Sequence, residues 1–119
     1  MKFLLMLYAE EKVGLAIPPE QMAGFMDQMY AYQQTLEKAG GFVATSALQP
    51  TTAARTVSTA GGELKVHDGP YAETREQFGG YFIIEAPDMD RAVELAAQCP
   101  AAGWGSIEVR PYHLGYAPD

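Results

Sequence analysis

The residues from Phe3 to Tyr8, FLLMLY, are apolar without interruption. A run this short, with no alternation, reads as a strand buried on both faces. Polar residues and Gly14 follow, then IPPEQ. Proline is tolerated in the first turn of a helix, where its missing N–H has no partner to lose, and Glu20 suits the positive end of the helix dipole. Met22, Phe25, Met26, Met29, Gln33 and Leu36 recur at steps of three and four, which predicts an amphipathic helix over 19–39. Gly40-Gly41 is placed to end it with a left-handed cap. Phe42 to Leu48 predicts a second strand, broken by Pro50. ARTVST (54–59) and ELKVH (63–67) alternate about Ala60-Gly61-Gly62 and predict a hairpin. Gly80 to Ala86 is a strongly apolar strand. Asp88 caps a second helix over 89–98, with Met89, Ala92, Val93 and Ala96 on one face, and Ser106 to Tyr112 is the last strand.

Without the hairpin, this order is βαββαβ, the ferredoxin-like arrangement: an α+β fold whose two helices cover one face of an antiparallel sheet. A sheet with one wet face alternates apolar and polar residues. FLLMLY and YFII do not. A second copy of the chain is the simplest cover for the free face, so the pattern predicts a homodimer with two sheets face to face.

A chain of 119 residues fits a single domain over 1–119. Its net charge of −7 argues against sequence-independent binding to nucleic acid, which needs clustered Lys and Arg. The single cysteine, Cys99, allows no intrachain disulfide and no multi-cysteine zinc motif, and fits a reducing compartment. The opening MKFLLMLYAEE has a very short apolar core followed by acidic residues, and reads as a first strand rather than a signal peptide. No apolar stretch approaches the ~20 residues that span a bilayer. A soluble cytoplasmic protein without a membrane partner is the resulting expectation.

The segment HDGPYAETREQFGG, His67 to Gly80, stands out as a long polar connection between two strands, and loops of that kind are usually functional or disordered. Together with the sequence that follows it, up to IEVRPY, it is similar throughout to the DGPF-type branch of the YCII-related proteins. The name-giving tetrapeptide is present as Asp68-Gly69-Pro70-Tyr71, with Tyr in place of Phe. The resemblance covers nearly the whole chain, including MKFLLMLYAEE. It implies a ferredoxin-like domain that pairs into a dimeric α+β barrel. Some relatives act on small chlorinated aromatics, and a His–Asp acid–base role is attributed to some. The segment from Glu10 to Gly14 holds no histidine that would match. Relatives encoded beside extracytoplasmic-function sigma factors imply such a factor as a partner.

Two readings of the loop compete. Asp68-Gly69-Pro70 is a turn, since Asp bonds nearby amides and Pro fixes φ. Alternatively Asp68 and Glu73 form an acid–base pair beside an apolar cavity between the sheet and loop 67–80, with Arg75 as an anion clamp. On the last strand Glu108 and Arg110 alternate with Ile107 and Val109, as a structural ion pair or with Arg110 as anchor for a substrate carboxylate. Tyr8, Tyr71, Tyr81 and Tyr112 are candidates to line the same cavity, although tyrosine is also a good strand residue. The ligand class implied is a carboxylate or aromatic acid. His67 and His113 have no metal-ligand spacing, so no metal is expected. Gly79-Gly80 lies in no phosphate-binding motif and predicts close backbone approach rather than a cofactor. Cys99 closes a helix, where the dipole disfavours a thiolate. The methionines of the first helix read as core.

Overall fold

The computed structural model describes residues 1–115. Four strands form one antiparallel sheet: β1 (Lys2–Ala9), β2 (Phe42–Ala47), β5 (Gln77–Glu85) and β6 (Ser106–Pro111), in the order β2-β5-β1-β6. This is the ferredoxin-like order, with the apolar runs of β1 and β5 side by side at the centre. Their register pairs Phe3 with Ile84 and Leu5 with Phe82, and all four side chains are buried. The alternate residues Leu4, Met6, Tyr81 and Ile83 are half-buried and belong to the opposite face.

Two helices cover the first face. The long helix α2 (Pro19–Lys38) contributes Tyr32 and Leu36 to the core, and α3 (Met89–Ala97) contributes Ala92, Leu95 and Ala96. Both helices start and stop where local chemistry places them. Pro19 sits in the first turn of α2. At its end Gly40 has φ +74, the Gly40 amide donates to Glu37 O at 3.0 Å, and the Gly41 amide donates to Leu36 O at 2.9 Å. These are the two bonds of a Schellman cap. The Asp88 carboxylate accepts from the Arg91 amide at 2.9 Å and caps α3.

The helical stripe differs in one respect from the predicted one. Tyr32 takes the core position and Gln33 is only half-buried. The Tyr32 hydroxyl donates to Leu95 O at 2.7 Å, and its ring meets Phe82 edge-on at 5.1 Å, so the polar atom is satisfied and the ring is packed. A short helix absent from the sequence reading, α1 (Glu11–Leu15), follows β1 directly.

The predicted hairpin forms from β3 (Arg55–Ser58) and β4 (Lys65–Asp68), as a separate two-stranded sheet. Val57 and Val66 face each other across it and stay exposed at 61% and 51%. The Cα radius of gyration is 16.1 Å, against roughly 13.5 Å for a compact chain of this length, and the thinnest dimension is 18 Å. That thickness accommodates one sheet and one helix layer, with this ribbon extending the outline.

Candidate functional site

The N-terminal half of α2 does not seal onto the sheet. Met22, Phe25 and Met29 are half-buried, and Met26 and Tyr30 are exposed. Across from them lie small residues: Thr45, Ser46 and Ala47 of β2, and Gly79 and Gly80 of β5. The result is an open cleft of about 500 Å³, floored by the ends of β1, β5 and β2 and walled by α1, α2 and Trp104. It falls within the size range of small-molecule sites. The methionines expected in the core thus line the cleft, and of them Met29 also packs against the core. The Phe25 ring meets Trp104 edge-on at 5.6 Å, which steadies one wall.

The floor is open because of Gly79-Gly80. The β1–β5 register pairs Leu7 with Gly80 but Tyr8 with Phe78, leaving Gly79 as the extra residue of a bulge. A Cβ on Gly80 would lie 3.2 Å from Ser46 O. Close backbone approach, which the sequence indicated for the pair, holds for Gly80, whereas a Cβ on Gly79 would meet nothing within 4 Å.

The polar edge of the cleft is built by α1. Glu11 accepts from the Thr51 amide at 2.6 Å and from the Thr51 hydroxyl at 2.7 Å, while its own amide donates to Gln77 Oε1 at 2.9 Å. Gln77 Nε2 donates to Thr74 O at 2.6 Å. Glu10, beside it, pairs with Arg75, Nε to Oε1, at 2.9 Å. These contacts tie α1, the connection after β2 and the end of the polar loop into one rim. No group of acidic, His or Cys side chains able to hold a metal occurs among the described residues.

Several predicted site residues lie elsewhere. The polar loop is shorter than 67–80, because His67 and Asp68 belong to β4 and Gln77 to Gly80 belong to β5, paired with the end of β1. Asp68 is exposed and pairs with Arg55 at 3.3 Å, its cross-strand partner on the hairpin. The turn after it is held by backbone: Gly69 has φ +109, its amide donates to Ala54 O at 2.7 Å, and its carbonyl accepts from the Thr56 hydroxyl at 2.9 Å. Glu73 is exposed, and Tyr71 is 89% exposed. None of Asp68, Tyr71, Glu73 and Tyr112 lines the cleft. Arg110 pairs with Glu108 at 3.7 Å, on the sheet face away from α2 and α3. Tyr8 and Tyr81 do border the cleft, although Tyr81 alternates with the helix-facing Phe82 and so belongs to the opposite face of its strand. The cavity is therefore bounded by helices as well as sheet, and of the predicted loop segment only Glu76, Gln77, Gly79 and Gly80 line it. Glu10, Glu11 and Gln77 were missed as its polar residues. The signal available for them was the acidic pair directly after an apolar strand, at the end of a sheet.

Cys99 is buried, and its thiol is pushed up from its ordinary value by burial, against two backbone hydrogen bonds that lower it. It stays a thiol, for a reason other than the helix end.

The family model for the YCII-related domain matches residues 1–113. A protein of Rhizobium meliloti (strain 1021), itself described as uncharacterised, is 37% identical over 120 residues, spanning 99% of this chain and 96% of its own length. Among solved structures, 5-chloro-2-hydroxyhydroquinone dehydrochlorinase from Burkholderia phenoliruptrix AC1100, in complex with 2,5-dihydroxybenzoquinone, aligns with a TM-score of 0.48 at 16% identity, over 97% of this chain and 96% of that one. The match along almost the whole chain, with a relative of nearly equal length, places this protein in the YCII-related family.

Proposed function

We propose that the protein binds, and in the enzymatic form of this reading transforms, a small largely aromatic molecule in the cleft between α2 and the sheet. The observation that carries it is the cleft itself: an apolar, aromatic-lined space of about 500 Å³ between α2 and the sheet. Tight interiors leave few voids larger than a water molecule. Phe25, Tyr30 and Trp104 supply ring faces and edges, and Gln33, Gln77 and Ser46 supply hydrogen-bonding groups. Of the aromatic and carboxylate ligands the sequence suggested, the aromatic part suits these walls. Trp104 is the single tryptophan and lines the cleft, so its emission reports occupancy. Titration with small aromatic compounds should give a saturable change in emission together with a rise in melting temperature. Silence of both signals across compounds of all charges overturns the proposal.

The assembly belongs to the same proposal. Leu4, Met6, Tyr81 and Ile83 give the free sheet face an apolar centre bordered by the Glu108–Arg110 pair. A second copy covers it face to face, forming the dimeric α+β barrel and leaving each cleft on the helix side of its own sheet. A sigma factor as regulatory partner is the second reading, supported by the exposed Val57, Leu64 and Val66 of the β3–β4 hairpin. Pull-down of a purified sigma factor that fails after Val66→Lys supports it, and unchanged capture by that variant removes the hairpin's part.

A further inference from the structure

Deepening the reading of the cleft as a small-molecule site, on which it rests, we infer that the cleft selects ligands with a positively charged head group: an organic amine or ammonium on an aromatic body. Among the described residues, the ionisable side chains lining it, apart from tyrosines, are Glu10, Glu11 and Glu76, with no Lys, Arg or His. Of the cations near this rim, Arg75 is bonded to Glu10 at 2.9 Å, and Lys12, between Glu11 and Val13 on α1, is exposed. Glu11 is held by two neutral donors of Thr51, which fix its direction without cancelling its charge. Glu76 is half-buried and its carboxylate has no ion-pair partner among the described residues. Three carboxylates, Glu10, Glu11 and Glu76, against the two cations Arg75 and Lys12 leave the rim negative.

The walls act in the same sense. Tyr30 and Trp104 line this cleft and are 61% and 50% exposed as residues. Aromatic faces attract cations through their quadrupole, most strongly at Trp, and more so when water is displaced. A ligand cation would find carboxylates at the rim and ring faces at the wall. A ligand carboxylate would leave water for a site that offers it no cationic side chain and sets it beside three like charges. Arg110, the residue best suited by sequence to hold an acid, lies on the other side of the sheet.

A matched set of probes tests this: 2-phenylethylamine, 2-phenylethanol and phenylacetate, each titrated against Trp104 emission at low salt. The amine should bind about tenfold or more tighter than the alcohol, and the acid weakest. The gap between amine and alcohol should shrink in high salt, which screens charges at an open rim. Glu76→Gln should narrow that gap, whereas Arg75→Gln, removing an opposing charge, should widen it. A purely structural role for either residue would leave the ratio unmoved. Equal affinities for the three probes, or an acid that binds as tightly as the amine, overturn the head-group inference while the cleft remains the site. Absence of any response to all three overturns the cleft reading and this inference together.

Discussion

Tyr32 shows how one side chain can hold both a core and its pH limit. Burial pushes its phenol above the ordinary value, with the Cys99 thiol adding to the effect. A raised value in the folded state means that the protonated phenol is favoured there. Its contribution is full below about pH 10, where the unfolded chain begins to ionise, and is lost progressively as the pH climbs beyond. Tyr32→Phe should cost about 1 kcal/mol at neutral pH, since Leu95 O keeps the Gln98 amide at 3.2 Å as a donor. The variant should also lose less stability than the parent as the pH rises above about 10 in urea melts. A steeper alkaline loss in the variant contradicts this account. Asp68 makes the opposite case. Its carboxylate is 86% exposed and its partner Arg55 is 75% exposed, and exposed pairs contribute roughly 0–1 kcal/mol. Asp68→Asn should therefore leave both the melting temperature and Trp104 titrations nearly unchanged. Loss of ligand response in that variant would place the loop's Asp in the site and require a rearrangement of the hairpin toward the cleft.

At the scale of elements, the punctuation was legible and the voids were not. Pro18-Pro19, Gly40-Gly41 and Asp88 marked helix ends because each acts within one turn of backbone. The helix α1 carried no such mark. EKVGL is too short to show a period, and it is held by partners far along the chain, Thr51 and Gln77. The methionines of α2 were read as core because their spacing is that of a buried stripe. Whether a Met packs or borders open space depends on the residue opposite, and the register of β5 sets Gly79 and Gly80 there. Sequence periodicity carries no information about that pairing. Gly105 was missed for a similar reason. It opens the entry to β6, and a Cβ there would collide with the Tyr8 carbonyl oxygen and lie 3.1 Å from the Ala9 Cα. Both neighbours are backbone and cannot rotate away. Gly105→Ala should destabilise by about 3 kcal/mol or more, read from denaturant midpoints. A neutral result would show that β6 does not sit this close to β1.

For the whole molecule, the unalternating strands named both faces of the sheet before any fold was in view, and the structure gives one of them to the helices. The dimer proposed for the other predicts a sedimenting mass twice the 12.9 kDa of the chain at micromolar concentration. Ile83→Glu should convert it to monomer, because an unpaired charge in an apolar interface is costly; a parent protein already monomeric and soluble removes the barrel. The claim on which the account rests is that the cleft beside α2 is where a ligand goes, and the six methionines test it directly. Met22, Met26 and Met29 line the cleft, whereas Met1, Met6 and Met89 do not. With methyl-labelled methionine, NMR spectra recorded during titration with 2-phenylethylamine and 2-phenylethanol should show the Met22, Met26 and Met29 signals moving together and saturating, with the other three still. Saturable shifts confined to Met6 or Met89 would put the ligand on the free sheet face or beside α3, and would contradict the account.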